Sequence, residues 1–283
     1  DLTFKMPMFR VVKKTAITIN EGDSTTVETT FMAPERSPGS GGNALIVEAG
    51  QVLEWSKTGQ TVWRFPTQNA SSASRLPSGE TLVADEGANQ VWLVSPQGKV
   101  VWSMGSSLGF LSKLKQPSWV SSAQDGQSFL ITDTGNHRIL EIENGQITWE
   151  YNTHLSNPRA ATYAPNGNII IADTGNKRVI EVNHQGQLVW SFLKDMGAPV
   201  HAVRLADGNT LITDASFSRV ITVNPKSQPV WFYDSDLSSP RSATARENGT
   251  VIIADTGNNR IVEVDRSKAT VHEVKPLKRP LGI

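Results

Sequence analysis

The chain has 283 residues, 27 Lys and Arg against 27 Asp and Glu, and a net charge of zero, so no global field draws it to nucleic acid or to anionic lipid. It has no cysteine, which removes disulfides, thiolate catalysis and Cys-held metal sites. Apolar residues make up 38% of it and eight are Trp, enough for a sizeable core, yet no apolar run approaches the roughly 20 residues that span a bilayer.

The first 41 residues stand apart from the rest. Residues 14–19 and 25–31 are rich in β-branched side chains, and Asn20-Glu21-Gly22-Asp23-Ser24 between them supplies turn formers, which predicts a β-hairpin. Residues 34–41, with Pro34, Pro38, Gly39 and Gly41, read as a flexible connector. The hairpin either covers one face of the main domain or belongs with a neighbouring part of a larger assembly. It is also a candidate for docking the chain into an oligomer.

From Gly42 onward the chain repeats. An acidic residue ends the first strong strand of each unit: Glu48, Asp85, Asp133, Asp173, Asp214 and Asp255. Further along each unit stands Trp63, Trp102, Trp149, Trp190 or Trp231, with His272 in the last. Pro117, Pro158, Pro199 and Pro240 open another short strand before four of the units. Each unit therefore reads as four strands; in the fourth they are 159–164, 168–173, 178–183 and 187–192. Asn166-Gly167, Thr174-Gly175-Asn176 and Gln185-Gly186 join them, read as turns in which Gly and Asn accept positive φ. Four antiparallel strands recurring about every 41 residues are the pattern of a propeller blade.

The first unit, 42–65, has only three strands, and residues 278–283 repeat the Pro-led opening of the others. The expected fold is thus all-β: a six-bladed β-propeller of four-stranded blades over 42–283. The C-terminal strand joins the first blade, and an N-terminal β-hairpin extension spans 1–41. Closure of this kind leaves no open sheet edge at the seam. The alternative is that residues 278–283 begin a further blade.

The repeated Asp-Thr-Gly-Asn-x-Arg followed by apolar alternation, together with Pro280-Leu281-Gly282-Ile283, resembles NHL-repeat propellers. Gly186-Gln187-Leu188-Val189-Trp190 and Arg204-Leu205-Ala206-Asp207-Gly208-Asn209-Thr210-Leu211 are similar to PQQ-type and arylsulfotransferase-type repeats. The resemblance covers about 42–283 and implies the architecture, on which enzymes, sensors and scaffolds are all built.

The candidate sites are weighed against structural roles. Asp133/Arg138, Asp173/Arg178, Asp214/Arg219 and Asp255/Arg260 recur too regularly for a ligand site and read as salt bridges across a turn. The recurring Trp set reads as packing between blades. Trp119 differs: equivalent inner-strand places hold Ser72, Ala160, His201, Ser242 and Gly282, so it either plugs the channel or forms a flat wall there. The inner strands, near 71–76, 118–123, 159–164, 200–205, 241–246 and 281–283, contain no Asp, Glu, Asn or Gln. That argues against the axial calcium of lactonase-type propellers. His201 is the one inner-strand His, with His137 and His184 in turns and His154 in a connector, which argues against the zinc of amidating-lyase-type propellers. No cofactor or metal is expected.

What remains is an anion site. Arg159 and Arg241 open the fourth and sixth inner strands with His201 between them, and Lys177 lies on a turn of the same face. The arylsulfotransferase resemblance implies a role for His201 as nucleophile, with Arg159 and Arg241 on the sulfuryl oxygens. Asp214-Ala215-Ser216-Phe217-Ser218 breaks the turn motif and puts Phe217 where it either meets a partner or folds over its own blade. An insertion at 106–115, with Phe110, Leu111 and Leu114, is a second candidate contact surface. The favoured reading is a non-enzymatic recognition or scaffold propeller that binds a protein partner or small anion through one face, in an extracellular or periplasmic setting. The alternative is a sulfotransferase- or lyase-like enzyme using His201 with Arg159 and Arg241.

Overall fold

The computed structural model describes residues 44–48, 50–55, 60–105, 113–246 and 248–274. Its strands form six antiparallel sheets, each in simple meander order. Blade 1 holds β1 (Ala44–Glu48), β2 (Gln51–Trp55) and β3 (Thr61–Pro66). Blade 2 holds β4 (Ala70–Arg75), β5 (Thr81–Asp85), β6 (Gln90–Val94) and β7 (Val100–Gly105). Blade 3 holds β8 (Pro117–Ser122), β9 (Ser128–Asp133), β10 (Arg138–Glu143) and β11 (Gln146–Tyr151). Blade 4 holds β12 (Ala160–Tyr163), β13 (Ile169–Asp173), β14 (Arg178–Val182) and β15 (Leu188–Phe192). Blade 5 holds β16 (Pro199–Arg204), β17 (Thr210–Asp214), β18 (Arg219–Val223) and β19 (Pro229–Tyr233). Blade 6 holds β20 (Ser242–Ala245), β21 (Val251–Asp255), β22 (Arg260–Val264) and β23 (Thr270–Val274). This is the six-bladed propeller read from the repeat. The N-terminal hairpin and the closing strand at 278–283 lie outside the described residues.

Strand β13 shows why these runs are apolar throughout rather than alternating. Successive side chains point to opposite faces of a blade, and each face packs on a neighbouring blade. Ile169 and Ile171 join Leu130 and Ile139 of blade 3, while Ile170 joins Ala202 and Ile212 of blade 5. The ring closes in the same way: Leu45 and Val47 of blade 1 pack with Val83 of blade 2 and with Ile252, Ala254 and Ile261 of blade 6.

The Asp residues are structural, as their recurrence predicted. Asp173 is fully buried; its Oδ1 accepts from the Ser156 amide at 2.8 Å, and its Oδ2 accepts from Asn176 Nδ2 at 2.8 Å and Arg178 Nε at 2.7 Å. Asn176 and Arg178 also donate to the His154 carbonyl, so one clamp ties the turn to the loop entering the blade. Asp133 and Asp255 repeat the arrangement with Arg138 and Arg260, at 2.8 and 2.6 Å.

The glycine of this turn does a different job from the one expected. The positive φ falls on the residue that follows Asn, at His137, Lys177 and Asn259. Gly175 is needed for close approach, because a Cβ there would sit 2.6 Å from the Ser156 carbonyl oxygen. Gly167 has the role expected of it, with φ at +84° and open space where its Cβ would be.

The outer Trp residues pack between blades. Trp102 meets Phe129 of blade 3 edge-on at 5.4 Å, and Arg204 of blade 5 lies over Trp190 at 4.8 Å. In every blade the outermost pairing carries a register shift beside this Trp or His272. Such bulges strengthen the local twist that a propeller blade needs. Leu114 corrects one expectation: it is buried in the core between blades 2 and 3 and is no contact residue. Phe110 and Leu111 lie outside the described residues.

Candidate functional site

The turns after the second strands and the loops entering the inner strands share one end of the ring, since Gly175 donates to Ser156 and Gly257 to Ser238 across them. At the axis of this end, five blades converge on a small hollow of about 220 Å3, mouth included. Arg159 and Arg241 line it with Trp119, Val200, Ser71 and Ser118. The two arginines paired by sequence position are therefore brought together. His201 is not on the wall: the irregularity between Pro199 and His201 and the alternation of the strand put Val200 there instead.

His201 lies within the ring, fully buried, with its imidazole 4.6 Å from the Trp119 indole. Trp119 starts on blade 3, crosses the small side chain of Ala160 on blade 4 and reaches His201 on blade 5. It is only 7% exposed and lines the hollow. Neither His201 ring nitrogen finds a well-aligned hydrogen-bond partner in the protein, nor does Trp119 Nε1. Burial pushes the His201 pKa down to about 3, against a smaller raising influence of the Ala243 backbone, so the ring is neutral at physiological pH.

Charge in the hollow is already partly balanced. Arg159 Nη2 lies 3.0 Å from Glu86 Oε1, reaching from blade 4 to blade 2, an ion pair by distance without an aligned hydrogen bond. Sequence reasoning missed Glu86, although a signal was present. Asp85-Glu86-Gly87 puts Glu where three other blades have Thr, and there Thr134 and Thr174 each donate to a carbonyl of the next blade. Among the described residues no cluster of three or more His, Asp or Glu has the makings of a metal site.

Blade 5 breaks the clamp. Phe217 stands where Asn136, Asn176 and Asn258 hold their Asp in blades 3, 4 and 6. Asp214 keeps its loop contacts, accepting from the Gly197 and Ala198 amides at 2.9 and 2.8 Å. Its Arg, however, has moved off: Arg219 Nη2 is 3.8 Å from Asp214 and the guanidinium lies over the Phe217 ring at 5.0 Å. Phe217 remains 52% exposed, and Leu193, which leads into the adjoining loop, is 57% exposed. Lys177, exposed in the positive-φ place of the blade 4 turn, belongs to the same face.

Fold, repeated clamp and inter-blade Trp together define a six-bladed propeller of the PQQ-like class. The chain belongs to the family whose model is described as outer membrane protein assembly factor BamB, which matches residues 23–266. Among solved structures, a chain of a nidogen/laminin complex aligns with a TM-score of 0.69 and 16% identity, covering 84% of this chain and 95% of that one. A protein of unknown function from Bacteroides caccae gives 0.66 and 19%, covering 81% and 92%. A streptogramin B lyase gives 0.66 and 16%, covering 84% and 80%. At such identities the likeness is one of fold. No curated protein matches the sequence. Among the described residues no helix is long and apolar enough to cross a membrane.

Proposed function

We propose that this propeller is a non-enzymatic recognition module that binds a protein partner through the end carrying Phe217. One observation carries the reading: blade 5 gives up the Asn of the structural clamp for a half-exposed Phe, with Leu193 and Lys177 on the same face. Blades 3, 4 and 6 keep the Asn and blade 2 replaces it with the small Ala88, whereas blade 5 puts a large aromatic there at a cost in hydrogen bonds, and such a departure is where function is expected. An exposed aromatic under a stacked guanidinium is also the kind of side chain that dominates protein interfaces. The family's description as an outer membrane assembly factor supports a protein partner and an extracytoplasmic, periplasmic or extracellular setting. Nucleic acid does not fit a chain without net charge. Assembly through residues 1–41 is part of the same reading and is tested by the solution mass of a chain lacking them.

The test is Phe217→Asn. Asn rebuilds the clamp used by three other blades, so stability is kept or gains about 0.5–1.5 kcal/mol. Partner capture, read by photo-crosslinking from Lys177 in wild type and variant, drops about tenfold or more. Equal crosslinking in both overturns the reading.

A second reading, a small anion held between Arg159 and Arg241, is favoured by their convergence on one hollow. The ion pair of Arg159 with Glu86 and the burial of a neutral His201 weigh against catalysis there. Sulfate binding that Arg159→Ala abolishes would support it. A turnover that His201→Ala removes would support the enzyme alternative.

A further inference from the structure

Lys177 is a second place where one blade leaves the pattern of the others. It closes the turn after the second strand, at positive φ. In blades 2, 3 and 5 the side chain at that place accepts from the amide just ahead of the next blade's opening Pro. Asn89 Oδ1 takes the Gln116 amide at 2.7 Å, His137 Nδ1 the Asn157 amide at 2.9 Å and Ser218 Oγ the Ser239 amide at 3.3 Å. An ammonium has no lone pair and cannot accept. The corresponding amide, that of Ala198, goes instead to Asp214 Oδ1 at 2.8 Å. Asp214 can take it together with the Gly197 amide because Phe217 stands in place of the Asn and Arg219 is 3.8 Å away.

Two departures on neighbouring blades therefore meet at one loop, 193–198. A Cβ on Gly197 would lie 3.3 Å from the Phe217 ring. On the other side, Thr174 of the Lys177 turn donates to the Pro199 carbonyl. Leu193, Lys194 and Asp195 are exposed on the loop, and Lys113 and Lys115 are exposed at the entry to blade 3. With Lys177 this makes an arc of four exposed lysines, and among the described residues none of the four is held in an ion pair. The acids beneath the arc are already matched: Asp133 by Arg138, Asp173 by Arg178 and Glu86 by Arg159. Asp195 opposes the arc with one carboxylate against four ammoniums. Asp234 and Asp236 lie beyond Phe217, on the loop entering blade 6.

Resting on the reading of this end as a protein-binding surface, we propose that the loop receives an acidic segment of the partner. An apolar side chain of the segment seats against Phe217 and Leu193, and its carboxylates lie over Lys194 and Lys177. Lys177 gives up a bond between blades and gains no partner within the chain, so its charge is what the position offers. Asp234 and Asp236 direct the acidic residues away from blade 6, toward blades 4 and 3. Complementary charge of this kind selects the partner and weakens with salt.

The probe is an acetylated, amidated dodecapeptide alternating Glu with Leu and Phe. It is titrated into the full chain by calorimetry at about 50 and about 300 mM salt, beside counterparts with Gln or Lys in place of Glu. At low salt the Glu peptide binds about tenfold tighter than the Gln peptide, and the advantage shrinks at high salt. Lys177→Asn places there the residue type of Asn89 and Asn259, so the fold is kept, and it weakens the Glu peptide about threefold. Adding Lys194→Gln brings the loss to about tenfold, while the Gln peptide responds to neither change. Equal binding of the Glu and Gln peptides, tighter binding of the Lys peptide, no binding up to millimolar, or indifference to the lysine variants overturns the proposal. Phe217→Asn separates the two readings. If it weakens peptides that ignore the lysines, the acidic partner falls and the Phe217 surface stands. If the Glu peptide needs the lysines but ignores Phe217→Asn, the charge acts away from that surface and both fall.

Discussion

The burial of His201 makes acid stability a direct probe of the axial core. Its pKa stands at about 3 in the folded chain against 6.5 for an unperturbed His, because burial disfavours the cation. Below pH 6.5 the unfolded chain therefore takes up a proton that the folded chain refuses. Stability from this group is complete above pH 6.5 and falls as the pH drops toward 3. The loss approaches about 1.4 kcal/mol per pH unit and reaches about 2.7 kcal/mol between pH 7.5 and 4.5. The assay is urea unfolding of wild type and His201→Gln at pH 7.5, 6.5, 5.5 and 4.5. Other titrating groups also contribute, Glu181 among them. Its carboxyl is held below the usual range, despite opposing desolvation by burial, by hydrogen bonds from Asn168 and Asn166 and by Arg204. Those contributions are common to both proteins and cancel in the difference. Wild type should lose stability relative to the variant by about 2.7 kcal/mol over that window. A difference flat with pH would refute the reasoning, since it would mean that His201 titrates alike in both states and is hydrated rather than sealed behind Trp119.

Further outcomes follow from the clamp and the Trp seams. Asp173→Ala leaves Arg178, Asn176 and the Ser156 amide without their acceptor and should cost about 3–5 kcal/mol in urea unfolding; Asp214→Ala should cost less, because Arg219 is already displaced. Gly167→Asn should be nearly neutral in a thermal melt, since Asn tolerates positive φ in open space, whereas Gly175→Asn must push the Ser156 backbone aside and should lower stability by about 1–3 kcal/mol. Trp149→Phe gives up a bond to the His184 carbonyl and should cost about 1 kcal/mol more than Trp190→Phe, whose Nε1 has no partner to lose.

The elements were legible because each residue class has a local reason. The apolar runs ending in Asp, the Asn-Gly and Gln-Gly turns and the Trp spacing follow from strand periodicity and turn sterics, and they placed β12 to β15 within a residue or two. Gly175 was misread because positive φ and close backbone approach select the same residue, and only the position of Ser156 separates them. Glu86 was visible as a break in the repeat. Its meaning lay with Arg159, which belongs to another blade.

The sequence by itself determined the blade: four strands, their order, the Asp–Arg clamp and the number of copies. All of these rest on interactions within one repeat or between a repeat and the loop just before it. The tertiary structure decided what the departures from the repeat do. Closing the ring brings Trp119 across blade 4 onto His201 and joins Arg159 to Glu86 two blades away. Such pairings depend on the curvature of the whole ring, which no single repeat encodes.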